Sequence, residues 1–234
     1  MKVLIAAPLR QELHIFREYQ RSLDELRIPP GVTVDRFFVV NNSPEVIPEI
    51  RGKYVVANTT DAYLRRENDH YWTHENLNKM HYLRNLTCRQ ALAGGYDYLF
   101  SVDTDLVLQP ETLEVLLAAE KNIVSELYWT NGWCNAWMTD QSSGMNPEWI
   151  KPGLYQVGMT GACILISRRV LEAGVDYTAI PCIDKALWGE DRHFCIRAAC
   201  HGFGIWTDSH CPPEHLYTEK AYKKYIARRA EDAE

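Results

Sequence analysis

The sequence predicts an α/β protein with a mostly parallel central sheet flanked by helices. Apolar runs of strand length alternate with segments of helix length over most of the chain, as in βαβ units. The apolar run before residue 103 ends in Asp103, Thr104 and Asp105, and no other run ends in such a triplet. Because open α/β sheets bind ligands beyond the carboxyl ends of their strands, this acidic triplet is the first candidate for a site.

The first half of the chain gives two strand–helix units. Residues 3–7 form an apolar run that we expect to stop at Pro8. Residues 10–26 have apolar positions at helical spacing and end before two prolines and a glycine. Residues 32–40 and 53–57 read as further strands, and 74–93 as a helix stopped by two glycines.

The second half repeats the alternation with one interruption. We predict strands at 98–102, 122–128, 162–167 and 204–207, and helices at 110–119, 168–173, 189–201 and near the C-terminus. Residues 129–153 break the pattern, because they carry four tryptophans among Gly, Asn, Ser and Pro. A loop of that length in a compact domain is usually functional.

Size and composition restrict the class of protein. A chain of 234 residues with 46% hydrophobic residues is expected to form one domain, 1–234. Its net charge of −6 argues against a general nucleic-acid or membrane binder, and no apolar run approaches the ~20 residues of a membrane span. Seven scattered cysteines without a Cys-x-x-Cys pair favour reduced thiols and a cytoplasmic location.

The acidic triplet has a definite chemistry. Carboxylates at a strand end are hard oxygen ligands for Mg²⁺ or Mn²⁺, which usually complete their coordination with waters and substrate phosphates. An Asp-x-Asp triplet alone is also typical of a solvated turn. The rest of the sequence decides between these interpretations.

Three segments, taken in order, resemble the GT-A glycosyltransferases, particularly the large family-two-like group. They are 93–105, which contains the triplet, 161–169, and 189–198, which opens with Gly189-Glu190-Asp191. The resemblance covers nearly the whole chain. It implies a Rossmann-like mixed sheet, with a nucleotide-sugar-binding half at 1–105, an acceptor and catalytic half at 106–217, and a C-terminal helix at 218–234.

The resemblance implies a metal-dependent sugar transfer. Asp105, with Asp103 directly or through water, would hold Mn²⁺ or Mg²⁺ against the diphosphate of a nucleotide-sugar. His215 would be the third ligand, with His210 as its competitor. Asp191 would be the general base of an inverting transfer, and Glu190 would orient it or bind the acceptor. The opposite assignment of Glu190 and Asp191 stays open, as does a simple helix-capping role for both.

The donor nucleotide is expected to be UDP, or else GDP. The residues implied in nucleotide binding are Ala7, Pro8, Arg10, Asn41, Asn42, Arg84, Asp103 and Thr104. Asn41 and Asn42 stand where relatives often have an acidic residue, which leaves the base open.

The acceptor is expected to be a hydroxyl compound of unknown class. A saccharide, a lipid-linked molecule, a protein, a small metabolite or a modified nucleic-acid base all fit, and a homo-oligomer is possible. The residues expected to shape its site are Trp133, Trp137, Gly161 and Trp188. Each tryptophan could equally belong to a local hydrophobic cluster.

Three other interpretations remain open. A nucleotidyltransferase would use a similar sheet and metal-bound carboxylates, but the segment 6–12 lacks the glycines of a phosphate-binding loop. A catalytically silent nucleotide- or sugar-binding module would keep the cleft without transfer. A structural zinc site could use the following residues: Cys200, His201, His210, Cys211 and His215.

Overall fold

The computed structural model of the protein describes residues 1–59, 65–66, 69–70, 74–130, 132–139, 144–145, 151–181, 183 and 189–231. Its strands are β1 Lys2–Leu9, β2 Thr33–Val40, β3 Lys53–Val56, β4 Arg65–Arg66, β5 Asp69–His70, β6 Tyr98–Val102, β7 Leu106–Val107, β8 Ile123–Glu126, β9 Trp129–Thr130, β10 Trp133–Cys134, β11 Leu154–Val157, β12 Cys163–Ser167, β13 Ile205–Asp208 and β14 Glu214–His215. Its α-helices are α1 Leu13–Asp24, α2 His74–Ala93, α3 Thr112–Ala118, α4 Arg168–Glu172, α5 Glu190–Cys200 and α6 Glu219–Glu231, with a 3-10 helix at Pro44–Glu49.

The predicted α/β class is confirmed. An eight-stranded sheet has the order β11-β13-β8-β12-β6-β1-β2-β3. Six of these strands run in one direction, and β12 and β11 run against them. The C-terminal ends of the six parallel strands therefore lie along one edge, which we call the carboxyl edge.

Helices cover both faces of the sheet, and each face has its own core. On one face α2, α4 and α5 pack against the strands, with Leu83, Val170 and Phe194 among the buried residues. On the other face α1 and α3 bury Phe16 and Leu113 against the sheet. Because strand residues alternate between the faces, β6, which is buried on both, is apolar at almost every position, as the sequence predicted.

One strand prediction needs correction, and one strand of the central sheet was not predicted. β1 continues through Pro8 to Leu9. Its pairing with β6 ends at Ala6, so Pro8 lies where β1 has only β2 beside it and a missing N–H is tolerated. β11 was not predicted, because it is a short edge strand with only Val157 buried and so lacks a long apolar run.

The C-terminal segment closes back onto the start of the chain. β14 pairs with β7, and α6 packs through Tyr225 against a small cluster that includes Ile15 and Leu216. The Arg21 guanidinium donates to the Tyr225 hydroxyl, which joins α1 to α6. The predicted C-terminal helix is thus confirmed. No helix in the described ranges is both long and apolar enough to cross a bilayer.

Candidate active site

The acidic triplet lies at the carboxyl edge, directly after β6. The Asp103 amide donates to the Ala162 carbonyl at 2.8 Å, and the Leu106 amide closes a turn on the Asp103 carbonyl at 3.1 Å. Thr104 and Asp105 are both buried. The turn therefore fixes the two carboxylates one residue apart at the end of a rigid strand.

Pairing between β7 and β14 brings His215 to Asp105. His215 lies opposite Leu106 in this small sheet, and the Leu216 amide donates to the Asp105 carbonyl at 2.7 Å. The imidazole Nε2 is 3.4 Å from Asp105 Oδ2. Two residues that the sequence separates by over a hundred positions are thus held side by side.

The surroundings of His215 orient its ring. Nδ1 hydrogen-bonds with the Thr130 hydroxyl at 2.9 Å. The rings of Tyr128 and Tyr217 flank it, with centroids 5.0 and 4.9 Å away. Because Nδ1 is hydrogen-bonded to Thr130, Nε2 is the nitrogen that faces Asp105. Histidines that bind a metal commonly have this arrangement, with one nitrogen on the metal and the other hydrogen-bonded to the protein.

Arg84, on α2, organises the carboxylates on the other side of the triplet. Its side chain is fully buried. Nε donates to Glu190 Oε1 at 2.7 Å, and Nη2 lies 2.9 Å from Asp103 Oδ1. Nε is also 3.9 Å from Asp191 Oδ1. One cation therefore faces three acidic side chains.

Asp191 is the acid of this group with the most perturbed titration. Burial, and then the Glu190 carboxylate, raise the pKa of Asp191 well above its usual range, and Arg84 opposes both effects. Its Oδ1 accepts no hydrogen bond within the described part of the chain. A carboxylate with a raised pKa and a free lone pair has the properties of a general base.

Gly161 lies directly under Asp191. A Cβ atom at position 161 would come within 2.0 Å of Asp191 Oδ2, so a larger residue could not coexist with the present carboxylate position. The Gly161 carbonyl accepts a hydrogen bond from Asn135 Nδ2 at 3.1 Å. The predicted acceptor residue Gly161 thus lies in the site, where it leaves room for the proposed base.

The donor set is compatible with Mn²⁺ or Mg²⁺. Asp105 and His215 offer a carboxylate oxygen and an imidazole nitrogen at close range, and such ions take remaining ligands from water and phosphate. Asp103 is turned to Arg84, and the three groups do not all lie within 4.8 Å of one another. Asp103 would therefore act through water, one of the two modes that the sequence suggested.

Within the described part of the chain, no second group of potential metal ligands gathers in the interior of the fold. In the described ranges, three potential ligand atoms lie within 4.8 Å of one another at a surface cluster of Glu12, His14 and Glu219. The cysteines and histidines of the zinc hypothesis do not come together. His210 is bonded to Asp208 through Nδ1 at 2.9 Å instead of facing Asp105.

Five of the residues implied in nucleotide binding lie along the ends of β1 and β2: Ala7, Pro8, Arg10, Asn41 and Asn42. Arg84 lies on α2, and Asp103 and Thr104 follow β6. Ala7 is fully buried, and Pro8 and Arg10 are half-buried. Asn41 Nδ2 donates to the Ala57 carbonyl at 2.9 Å, and Asn42 Nδ2 to the Thr59 carbonyl at 2.7 Å. Both amides thereby fix the turn after β2 against the segment after β3.

Two of the three tryptophans expected to shape the acceptor site lie in the described ranges, and their environments differ. Trp137 is half-buried, and the Arg192 guanidinium lies 4.7 Å from its ring centroid. Trp133, on β10, is 73% exposed. Trp188 lies outside the described residues.

A further acid is buried beside this edge, on the opposite face of the sheet from Arg84. Glu126 ends β8 opposite Asp208 on β13, and it is fully buried. Burial, and then Asp208, raise the pKa of Glu126 to about 8, against a smaller lowering by the Cys211 backbone. Asp208 in turn accepts the His210 amide at 2.8 Å at the start of the loop that leads to His215.

Several supporting residues were not predicted. Ser101 Oγ accepts from Arg84 Nη1 at 3.3 Å, and strand alternation from Asp103 could have found it. Thr130, Asn135 and Tyr177, whose ring lies 5.6 Å from the Arg84 guanidinium, act through tertiary contacts that no local pattern reveals.

Comparisons with solved structures confirm the GT-A-type fold. A mannosyltransferase from Pyrobaculum calidifontis, solved with GDP-Man and Mn²⁺, is 13% identical with a TM-score of 0.57; the match covers 97% of this chain and 60% of that one. S. aureus TarS 1–349, solved with UDP-GlcNAc, is 14% identical with a TM-score of 0.57, covering 91% and 57%. This chain thus spans about three fifths of the length of these proteins.

The same fold occurs in nucleotidyltransferases. A CMP:2-keto-3-deoxy-manno-octonic acid synthetase, solved with CTP, is 13% identical with a TM-score of 0.55, and the match covers 99% of this chain and all of that one. No protein-family model matches the sequence, and no curated protein matches it. These identities establish the fold, and function must be argued from the site.

Proposed function

We propose that the protein is a metal-dependent glycosyltransferase that moves a sugar from a UDP- or GDP-sugar to a hydroxyl acceptor, with inversion. The observation that carries the proposal is the Asp105–His215 pair at 3.4 Å. Asp105 is two positions along the chain from Asp103, whose carboxylate Arg84 holds together with that of Glu190. Two similar folds were solved with nucleotide-sugars, one of them with Mn²⁺. This arrangement supports a divalent ion and a base within one site.

The proposed binding roles follow from position. Asp105 and His215, with Asp103 through water, would hold Mn²⁺ or Mg²⁺ at the donor diphosphate. The ion supplies charge neutralisation of the diphosphate as it leaves. The ends of β1 and β2 would bind the nucleoside, which assigns donor binding to 1–105 and acceptor binding to 106–217.

The proposed proton transfer involves Asp191. The acceptor hydroxyl gives its proton to an Asp191 carboxylate oxygen while the hydroxyl oxygen attacks the anomeric carbon, opposite the leaving diphosphate. The Arg84–Glu190 ion pair at 2.7 Å fixes the first turn of α5, and Gly161 leaves room for the carboxylate. A carboxylate fixed in this way is a more effective base than a mobile one, because it is already oriented when the acceptor binds.

The test is release of nucleoside diphosphate from a panel of UDP- and GDP-sugars with Mn²⁺, using water as the acceptor. Asp105→Asn should abolish release and keep the fold, since it removes one ligand charge. Asp24→Asn, on the surface of α1 and paired with Arg36, is the matched control and should behave as wild type. Full activity of Asp105→Asn would contradict the proposal.

A nucleotidyltransferase is the second candidate, because the CTP-bound synthetase matches along its whole length. Its product differs, since a nucleotidyltransferase releases pyrophosphate from a nucleoside triphosphate. Pyrophosphate release from CTP or UTP with a sugar acid or sugar phosphate, and no turnover of nucleotide-sugars, would establish this alternative.

A further inference from the structure

Trp133 is the most exposed large apolar side chain of the described residues, at 73%. It lies on β10 directly opposite Thr130 on β9. Residues directly opposite in an antiparallel pair project their side chains from the same face. Since the Thr130 hydroxyl bonds His215 Nδ1 at 2.9 Å, the indole lies on the face of the hairpin that meets His215.

The same hairpin also reaches the proposed base. Asn135, two residues after Trp133, donates to the Gly161 carbonyl at 3.1 Å, and Gly161 underlies Asp191. The β9–β10 hairpin thus contacts the metal-ligand pair at one end and the support of the base at the other. Trp133 lies on the hairpin between the residues that make these two contacts, Thr130 and Asn135.

Other tryptophans of the described ranges have a face already covered. Arg192 lies over Trp137, and Lys121 lies 4.4 Å from the ring centroid of Trp206. Trp129 packs partly against the core. No ring or cation of the described residues covers Trp133. An indole is a large, rigid apolar surface, so this exposed face beside the proposed site is available to stack on a ligand.

The position of Trp133 separates it from the nucleoside. β8, which leads into the hairpin, is two strands from β6 on the side away from β1 and β2. Strand spacing of about 4.8 Å therefore places the hairpin root roughly 20 Å from β2, on the acceptor side of Asp103. The indole thus lies on the side of Asp103 away from the proposed nucleoside site.

We propose that the acceptor is a carbohydrate whose pyranose ring stacks on Trp133. The C–H face of a pyranose is flat and apolar and matches an indole face, while its hydroxyl edge remains free to meet Asp191. A serine or threonine side chain offers no such face. This inference rests on the proposed transferase function and selects one acceptor class from those that the sequence left open.

The experiment measures acceptor-dependent release of nucleoside diphosphate, above the rate with water. The probes are methyl glycosides of common hexoses and disaccharides, which lack an aromatic group that could stack by itself. A serine-containing peptide and glycerol are the non-carbohydrate probes. Wild type should use at least one methyl glycoside and neither of the other two.

Variants test the stacking contact. Trp133→Ala should raise the acceptor KM on the order of 10-fold, and Trp133→Phe should restore most of the affinity. Tyr82→Ala removes an aromatic that is 51% exposed on α2 and is the matched control. An unchanged acceptor KM in Trp133→Ala, or use of only non-carbohydrate acceptors, would overturn the inference. Absence of donor turnover in wild type would instead overturn the proposed function, and this inference with it.

Discussion

Removal of the Arg84 charge is the most informative perturbation of the site. Arg84→Met keeps most of the side-chain volume and deletes the guanidinium that faces three carboxylates. Glu190 determines the effect, because it is 3% exposed and 2.7 Å from Nε. Asp103 is 33% exposed, so solvent screens its part of the interaction.

The expected loss is about 4 kcal/mol of unfolding free energy at pH 7, because breaking a buried pair leaves an uncompensated buried charge. Lowering the pH should reduce the loss. Without the cation, nothing opposes the burial and the neighbouring Glu190 charge that raise the pKa of Asp191 in the folded state. Asp191 therefore destabilises the variant most at a pH where it is ionised in the unfolded chain. Protonation at low pH removes that penalty.

Equilibrium unfolding in urea measures this effect, with the denaturant slope compared between variants. Arg84→Met/Glu190→Gln is the matched variant and should regain about half of the loss, since the buried charge is gone. Arg84→Lys should lose roughly 1–2 kcal/mol of unfolding free energy, because one ammonium group cannot bridge Glu190 and Asp103 as the planar guanidinium does. A loss below ~1 kcal/mol in Arg84→Met, or one that is independent of pH, would refute this reasoning.

Three further predictions concern neighbouring residues. Gly161→Ala should lower transfer on the order of 100-fold with a nearly unchanged thermal midpoint, because its methyl group displaces the Asp191 carboxylate; wild-type kinetics would contradict the close approach. Asp191→Asn should keep donor affinity and lose ~100-fold or more of the transfer rate, whereas loss of donor binding alone in calorimetry would remove Asp191 from the base role. Glu126→Gln should match wild type in stability near pH 4.5 and exceed it above pH 8, because the raised pKa of Glu126 means that wild type loses stability as pH rises from 4.5 to about 8. The stability that the variant gains over wild type is at most ~5 kcal/mol. Thermal unfolding from pH 5 to 9 measures this difference, and a variant less stable than wild type at pH 8 would contradict the prediction.

Much of the fold could be predicted, because its strands and helices carry strong local signals. The helix at 74–93 has the predicted bounds, since two glycines end it. β6 is buried on both faces and therefore apolar throughout. The edge strand β11 was missed because a half-exposed four-residue strand resembles a loop in sequence.

The site was predictable only in part. The resemblance to the GT-A glycosyltransferases singled out the following residues, which the structure brings to the carboxyl edge: Asp103, Asp105, Glu190, Asp191 and His215. The role of Arg84 as the common partner of Asp103, Glu190 and Asp191 depends on contacts between distant residues, such as the one with Glu190 across 106 positions, which no spacing reveals. The position of Asp191 over Gly161 likewise depends on how α5 packs beside the segment before β12, where the Cys195 thiol donates to the Thr160 carbonyl. This is a property of the tertiary structure alone.

The most direct test of the proposed function is thermal unfolding with UDP or GDP, with and without Mn²⁺, in wild type and Asp105→Asn. A ligand at 100 times its Kd adds about 2.7 kcal/mol, which raises the midpoint of a protein of this size by roughly 5–10 °C. We expect such a rise with one of the two nucleotides, only when Mn²⁺ is present, and its loss in Asp105→Asn. A shift that persists without metal or in the variant, or no shift with either nucleotide, would contradict a metal–diphosphate site at Asp105 and His215.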